Sequence, residues 1–399
     1  MIDDENSILT DFLKFVRSMR VVNGIGTMTF LGGNTVSDEI IESMKYVSDI
    51  FINMQDFSRI AGEYIARRLG VEAAYITAGA AAGTVLGLAS LLSLKTGARY
   101  IKDIIEEGRK MVVAVQRPHK TEFRDLIYMA GPGIIEFGDE GYVSEQSLEE
   151  TIKKHGKNIL AVLHYELDPM DGALPLESVI RIAHSYNVPV IVDAAAEIPP
   201  KGNLTRYLKM GSDLVLYSGG KMLGGLSNSG LMVGRKDIIM MAQSLGPFSE
   251  ENGPDGTRVF IGRPMKISKE IIVATVAAVE RFLTFNDEDW LRKQRSMADN
   301  IAKMISDIDQ EMTVRVVDPG WNHPRPVAIP RVEISFENGM SADEVCSRLK
   351  NFRVPIYTYS LDGKLYLNPQ CLKEDDVPII IDGLSSIVRA EKGETRWRN

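Results

Sequence analysis

The sequence predicts an α/β protein: a doubly wound, mostly parallel sheet followed by a smaller α+β domain at the C-terminus. Three observations carry this prediction. From residue 74 to residue 233, short apolar runs alternate with longer helical patterns. The short runs are continuously apolar, as expected of strands covered by helices on both faces. After residue 285 the style changes to alternating strands and separate amphipathic helices.

The elements follow in order. Residues 8–19 read as an amphipathic helix, and 21–34 as a glycine-rich irregular stretch. Helices are predicted at 37–48, with Ser37 as its N-cap, and at 59–69. The core begins with a strand at 74–77 and a buried helix at 79–94. Strands follow at 111–115, 134–137, 159–164, 188–192, 214–217 and 231–233, separated by helices at 121–129, 147–155, 176–186 and 204–210. Two long helices, 267–285 and 290–310, lead into the tail. There strands are predicted at 314–317, 332–336 and 365–367 and helices at 342–350 and 377–390, with a proline-rich loop at 319–330. The expected division is an N-terminal segment 1–45, a large domain 46–285 and a small domain 286–399.

Composition narrows the function classes. The chain of 399 residues carries a net charge of −8, which argues against a general nucleic-acid or membrane-surface binder. Its two cysteines, Cys346 and Cys371, lie far apart, so neither a disulfide framework nor a metal site is expected. No run approaches the roughly 18 apolar residues of a membrane span. The acidic start is unlike a signal peptide, and a cytoplasmic location is expected.

The chemistry concentrates at predicted strand ends. Residues 77–83, Thr-Ala-Gly-Ala-Ala-Ala-Gly, join the first core strand to its helix. Ala78, Gly79 and Ala80 would let a phosphate approach backbone N–H groups at a helix N-terminus, although a tightly packed turn has the same composition. Asp193 ends the 188–192 run, where ligands of open α/β sheets bind, and it also suits a helix cap. Lys221, in Tyr-Ser-Gly-Gly-Lys at 217–221, follows the next strand. It reads either as a surface lysine in a glycine-rich loop or as an amine that bonds an aldehyde. Ser218 is placed to hydrogen-bond a phosphate. His119, in Gln-Arg-Pro-His-Lys at 116–120, and His164 also follow or end strands, and each reads equally as an incidental or core histidine. A lysine for an aldehyde, an acid for a pyridinium nitrogen and a phosphate turn together meet the requirements of pyridoxal 5'-phosphate.

These motifs resemble the pyridoxal-phosphate enzymes of the aspartate-aminotransferase fold (fold type I), and within them the selenocysteine-synthase-like branch with its ammonia-lyase members. The likeness spans residues 21–285. It rests on Val-Asn-Gly-Ile-Gly-Thr-Met-Thr at 22–29, the 77–83 turn, Gln-Arg-Pro-His at 116–119, Val-Asp-Ala-Ala-Ala-Glu at 192–197, the 217–221 motif and Ile-Gly-Arg-Pro-Met-Lys at 261–266. The resemblance implies that Lys221 is the Schiff-base lysine, that Asp193 faces the pyridinium nitrogen and that His119 faces the ring. It further implies that Ala78, Gly79, Ala80 and Ser218 hold the phosphate. Arg263 and Lys266 resemble a basic pair near the substrate, Arg331 is a second choice for a substrate anion, and Arg59 resembles an arginine that reaches a neighbouring subunit's phosphate site. Ala78 and Ala80 stand where relatives often carry Ser or Cys, and Pro118 and Pro264 replace smaller or more flexible residues.

The implied activity is a lyase that eliminates and deaminates an amino acid or amino sugar acid, as a homodimer or higher homo-oligomer. The alternatives are selenium or sulfur transfer to seryl-tRNA, aldol cleavage, racemisation, or cofactor binding without turnover. Little sequence precedes residue 21 to serve as a tRNA-binding region, and the acidic charge disfavours tRNA.

Overall fold

The computed structural model describes residues 8–167, 170–249, 256 and 258–393. The chain divides into two compact units, Gly32–Phe285 on one side and Met1–Leu31 with Asn286–Asn399 on the other. In chain order the strands are β1 Val22–Asn23, β2 Ala73–Thr77, β3 Val112–Gln116, β4 Gly133–Phe137, β5 Ile159–Tyr165, β6 Val190–Asp193, β7 Leu214–Ser218, β8 Gly230–Gly234, β9 Met312–Val317, β10 Arg331–Phe336, β11 Ile356–Tyr357, β12 Tyr359–Leu361 and β13 Lys364–Leu367.

The larger unit holds a seven-stranded sheet in the order β2-β8-β7-β6-β5-β3-β4. The pairs β3–β4, β3–β5, β5–β6 and β6–β7 are parallel. Strand β8 runs the other way, antiparallel to both β2 and β7. The carboxyl ends of β2, β3, β5, β6 and β7 therefore share one rim, the usual place for a ligand in such a sheet. Each face has its own apolar core. One contains Val162, Val192, Val215 and Ile272, and the other Leu86, Val113, Leu163 and Leu216. Helix Ala80–Thr96 is buried almost all round. Gly87 lets it lie against the sheet, since a Cβ there would meet Leu214 Cδ2 at 2.6 Å.

Two helical expectations need correction, and two helices are new. The helix expected from residue 59 begins at Met54, because Asn53 caps it by accepting the Asp56 N–H at 3.1 Å. The helix expected over 121–129 is a 3-10 turn, Glu122–Asp125, followed by a short helix, Leu126–Met129. Helices Ile101–Gly108 and Lys236–Leu245 were not anticipated.

In the smaller unit an antiparallel sheet runs β12-β13-β10-β9. Strand β1 pairs in parallel with β11, which makes the N-terminal stretch part of this unit. The 1–45 segment set apart in the sequence thus divides between Leu31 and Gly32. Ile301, Ile305, Val332, Ile334, Leu349 and Ile380 form the core here. No helix among the described residues is long and apolar enough to cross a membrane.

Candidate active site

Four segments of the larger unit converge on the carboxyl rim. The first is the turn after β2. Gly79 has φ +109°, a left-handed conformation that favours glycine, and a Cβ built on it would face open space. Thr77 Oγ1 donates to Gly79 O at 2.8 Å, and the first bond of the following helix runs from Gly83 N–H to Gly79 O at 3.0 Å. The N–H groups of Ala80, Ala81 and Ala82 therefore point off the end of the helix. The turn is backed by Gly230 of β8, where a Cβ would meet Gly79 C at 2.4 Å and Ala80 N at 2.7 Å.

Asp193 ends β6, where it pairs with Tyr165 of β5 and Leu216 of β7. It is half-buried and accepts the Ala195 N–H at 3.0 Å. Loss of solvent holds its carboxyl above the usual range, against the Ala195 bond and the charge of Lys221, which act to lower it. Lys221 lies three residues past β7. Loss of solvent pulls its ammonium below the usual range, while Asp193, Glu197 and Glu122 oppose the shift. Its carbonyl accepts from Asn34 Nδ2 at 3.0 Å, and Asn34 N–H donates to Gly220 O at 2.9 Å, so the loop before the helix Asp38–Ser48 clamps the lysine's backbone. Ser218, half-buried at the end of β7, pairs with Gly230.

His119 is 1 % exposed, and its Nδ1 accepts the Tyr165 N–H at 3.3 Å. Burial, helped by the charge of Arg124, pushes its imidazole down to about 4. Tyr165 links His119 and Asp193: its N–H meets His119 on the β3 side, and Asp193 is its partner on β6. The structure thus brings together Asp193, Lys221 and His119, with Ser218 and Ala78, Gly79 and Ala80 on the same rim.

It does not bring in the other basic residues. Arg59 is exposed on the helix Met54–Leu69 and pairs with Glu63 at 2.8 Å and Asp56 at 3.4 Å. Arg263 and Lys266 are exposed and line a separate cavity of about 790 Å3 beside Ile50, Phe51 and Phe248. The substrate role expected for Arg331 conflicts with its surroundings. The side chain is fully buried in the smaller unit. Nε donates to Tyr359 OH at 3.2 Å, Nη1 to Ile329 O at 2.6 Å and Pro330 O at 3.3 Å, and Nη2 to the carbonyls of Pro324 at 2.5 Å and Pro326 at 3.4 Å. Five oxygens thus engage the five N–H donors of a guanidinium, and none is left for a substrate.

The burial of Gln116, Glu166 and Glu197 is not evident from the sequence. Glu166 and Glu197 are 5 % and 6 % exposed, and Glu166 N–H donates to Asp193 O at 2.9 Å. The available signal was their position just past the same strand ends as His164 and Asp193.

A family description, SelA: L-seryl-tRNA selenium transferase, matches residues 22–246, more than half of the chain. The chain belongs to this SelA family. It is 27% identical over 379 residues to the D-glucosaminate-6-phosphate ammonia lyase of Salmonella typhimurium, covering 92% of this chain and 95% of that one. It is 26% identical over 375 residues to a 5'-C-glycyluridine monooxygenase-decarboxylase of Streptomyces, covering 92% and 88%. A solved D-glucosaminate-6-phosphate ammonia-lyase structure superposes with a TM-score of 0.76 at 24% identity, over 95% of this chain and 98% of that one. This SelA-family chain is an enzyme of the fold type I group, and its cofactor is pyridoxal 5'-phosphate. The chain's own residues fit that cofactor: a lysine biased toward its neutral amine, a carboxylate on the adjoining strand, and open N–H groups at a helix N-terminus.

Proposed function

We propose that this SelA-family enzyme is a lyase that removes a β-hydroxyl or other β-leaving group from an amino acid or amino sugar acid, giving a keto acid and ammonia. The observation that carries the reading is Lys221, its amine driven toward the neutral form, beside Asp193 on the next strand end. When bound, the cofactor supplies a sink for the electrons of the broken bond. Lys221 would hold the cofactor through its aldehyde, and its free amine would take the substrate's α-proton on Nζ. Asp193 would be the partner of the ring nitrogen and keep it protonated. The N–H groups at the turn of Ala78, Gly79 and Ala80, with Ser218, would hold the phosphate, and His119 would cover the ring.

The likeness to a D-glucosaminate-6-phosphate ammonia lyase over nearly the whole length of both chains supports an amino sugar acid as substrate. Arg263 and Lys266, although they line a separate cavity in this chain, are the cations proposed for its anionic groups. Arg59, outward-facing and exposed, serves the phosphate of a neighbouring chain in a homodimer or higher homo-oligomer that works in the cytoplasm. Transfer of selenium to seryl-tRNA is the second reading, favoured by the family description over 22–246 and opposed by the net charge of −8. The test is a panel of hydroxy amino acids and amino sugar acids, D-glucosaminate 6-phosphate among them, given to the cofactor-loaded enzyme. Equal release of keto acid and ammonia is expected. No release across the panel from fully loaded protein overturns the lyase reading.

A further inference from the structure

Behind His119 lies a chain of buried polar groups that the reaction above does not use. Gln116 ends β3 and is 1 % exposed. Its amide clasps one peptide unit on each side of Leu174: Oε1 accepts the Leu174 N–H at 2.6 Å and Nε2 donates to Leu174 O at 2.9 Å. Backbone partners have fixed donor and acceptor roles, so the two bonds settle which end of the amide is nitrogen. The second hydrogen on Nε2 is then free for His164 Nδ1, 3.3 Å away. His164 must accept there, and its proton is placed on Nε2.

The same logic runs once more. His119 Nδ1 accepts a backbone N–H, from Tyr165, so its proton also sits on Nε2. The two rings meet edge to face, with centroids 4.7 Å apart and planes at 83°. His164 is 1 % exposed, and its Nε2 is buried without a hydrogen-bond partner, the nearest carboxylate oxygen being Glu166 Oε2 at 3.9 Å. Around the pair stand Arg124, whose charge acts on His119, and Glu166 beside His164. A core histidine kept only for packing would be expected to satisfy both nitrogens. This one is oriented from one side and braces His119 on the other.

We propose that Gln116 and His164 are positioning residues that hold His119 as a neutral Nε2–H donor toward the reacting groups, leaving removal of the α-proton to Lys221. This rests on the lyase reading for its chemistry, but not for its geometry. Burial keeps both imidazoles below their ordinary range, so neither is a proton acceptor in competition with the lysine at neutral pH.

The test is nitrogen-15 NMR of histidine-labelled protein, which has five histidines to assign. In cofactor-free wild type, His119 and His164 are expected as Nε2–H tautomers that do not titrate between pH 6 and 9. Gln116→Glu removes the donor to His164 Nδ1, so His164 is expected to switch tautomer or gain a proton, and the His119 signals to move with it. His164→Phe keeps an aromatic edge, and is expected to lower kcat about tenfold or more through misplacement of His119, with KM and cofactor content within twofold. An Nδ1–H tautomer or ordinary titration of His119 in wild type overturns the proposal. So does a His164→Phe enzyme with unchanged kcat and His119 shifts, or, where that variant fails to fold, a Gln116→Glu protein with unaltered signals. Loss of the lyase reading, seen as no turnover on any substrate, leaves the tautomers measurable and separates the two failures.

Discussion

The most direct test of the phosphate turn is Gly230→Ala. Gly230 pairs with Thr77 on one side and Ser218 on the other, so it sits between the two segments assigned to the phosphate. A Cβ there would stand 2.4 Å from Gly79 C and 2.7 Å from both Ala80 N and Thr77 Oγ1. Two of these atoms are backbone, which cannot swing aside as a side chain does. Restoring ordinary contact displaces the turn by about 1 Å, and a phosphate hydrogen bond lengthened that far, to roughly 3.9 Å, is lost. One or two charge-assisted bonds amount to about 2–4 kcal/mol, or roughly 30- to 1000-fold in Kd for the cofactor. The overpacking itself costs the fold about 1–3 kcal/mol. Gly234→Ala is the control on the same strand. Its Cβ would meet Asp213 O at 2.3 Å and Leu214 Cα at 2.9 Å, at the opposite rim of the sheet. Absorbance titration with pyridoxal 5'-phosphate should show weakened binding for Gly230→Ala alone, while urea unfolding shows both variants destabilised. Equal cofactor affinity in the two variants would refute the placement of the phosphate at this turn.

Three further predictions concern single groups. Borohydride treatment of the loaded enzyme should fix the cofactor on Lys221, and a peptide map with the adduct on Lys209 or Lys236 would end the assignment. Asp193→Asn should lower kcat by about 100-fold or more, on the scale of an electrostatic preorganisation term. Because the folded carboxyl is raised above its unfolded value, the native state binds the proton more tightly, and stability falls as pH climbs from about 3.9 through the raised value. Cofactor-free Asp193→Asn should therefore be more stable than wild type at pH 7 in urea melts, with the gap closing toward pH 4. A variant less stable than wild type at pH 7 contradicts this. Arg331→Lys offers three donors where five oxygens converge, and should destabilise the protein by about 1–3 kcal/mol without changing KM of the folded enzyme. A raised KM at unchanged stability would restore Arg331 to the substrate.

Where local chemistry decides structure, the sequence was sufficient. Residues 342–350 were readable as a helix because Ser341 caps it and accepts the Glu344 N–H, and the observed helix is Ala342–Lys350. The strand ends at Asp193 and before Lys221 were readable because continuous apolar runs stop there. Lys236–Leu245 was missed because it follows β8 with no side-chain cap, so nothing local marks its start. Arg331 was misplaced for a different reason. A strand-initial arginine says nothing of where its charge goes. Proline has no N–H to give, and the carbonyls of Pro324, Pro326 and Pro330 find their donor in a residue that follows them in sequence but folds back beneath them. His164 was balanced between core and function because burial, which the sequence implied, is compatible with both. The unpartnered Nε2 that tips the balance exists only in three dimensions.

The shifts at Asp193 and Lys221 link the chemistry to the stability of the fold. Each group helps keep the other charged, yet burial moves each toward its neutral form. A charged pair at this rim would be content as it stands and slow to react. A pair that burial biases toward neutrality on both sides is suited to a ligand that uses both groups, the amine as a nucleophile and the carboxylate as partner to a ring cation. On the proposed reading the cofactor would supply what the protein lacks: a cationic ring nitrogen for Asp193 and a carbon for the amine of Lys221. A ligand that binds only the native state adds stability in proportion to the logarithm of its concentration over Kd, about 2.7 kcal/mol at a hundredfold excess. On this account the site is destabilising by itself and stabilising when loaded. Loading should therefore raise the melting temperature of wild type by more than it raises that of Lys221→Ala, which keeps the turn and Asp193 but gives the cofactor no bond to form.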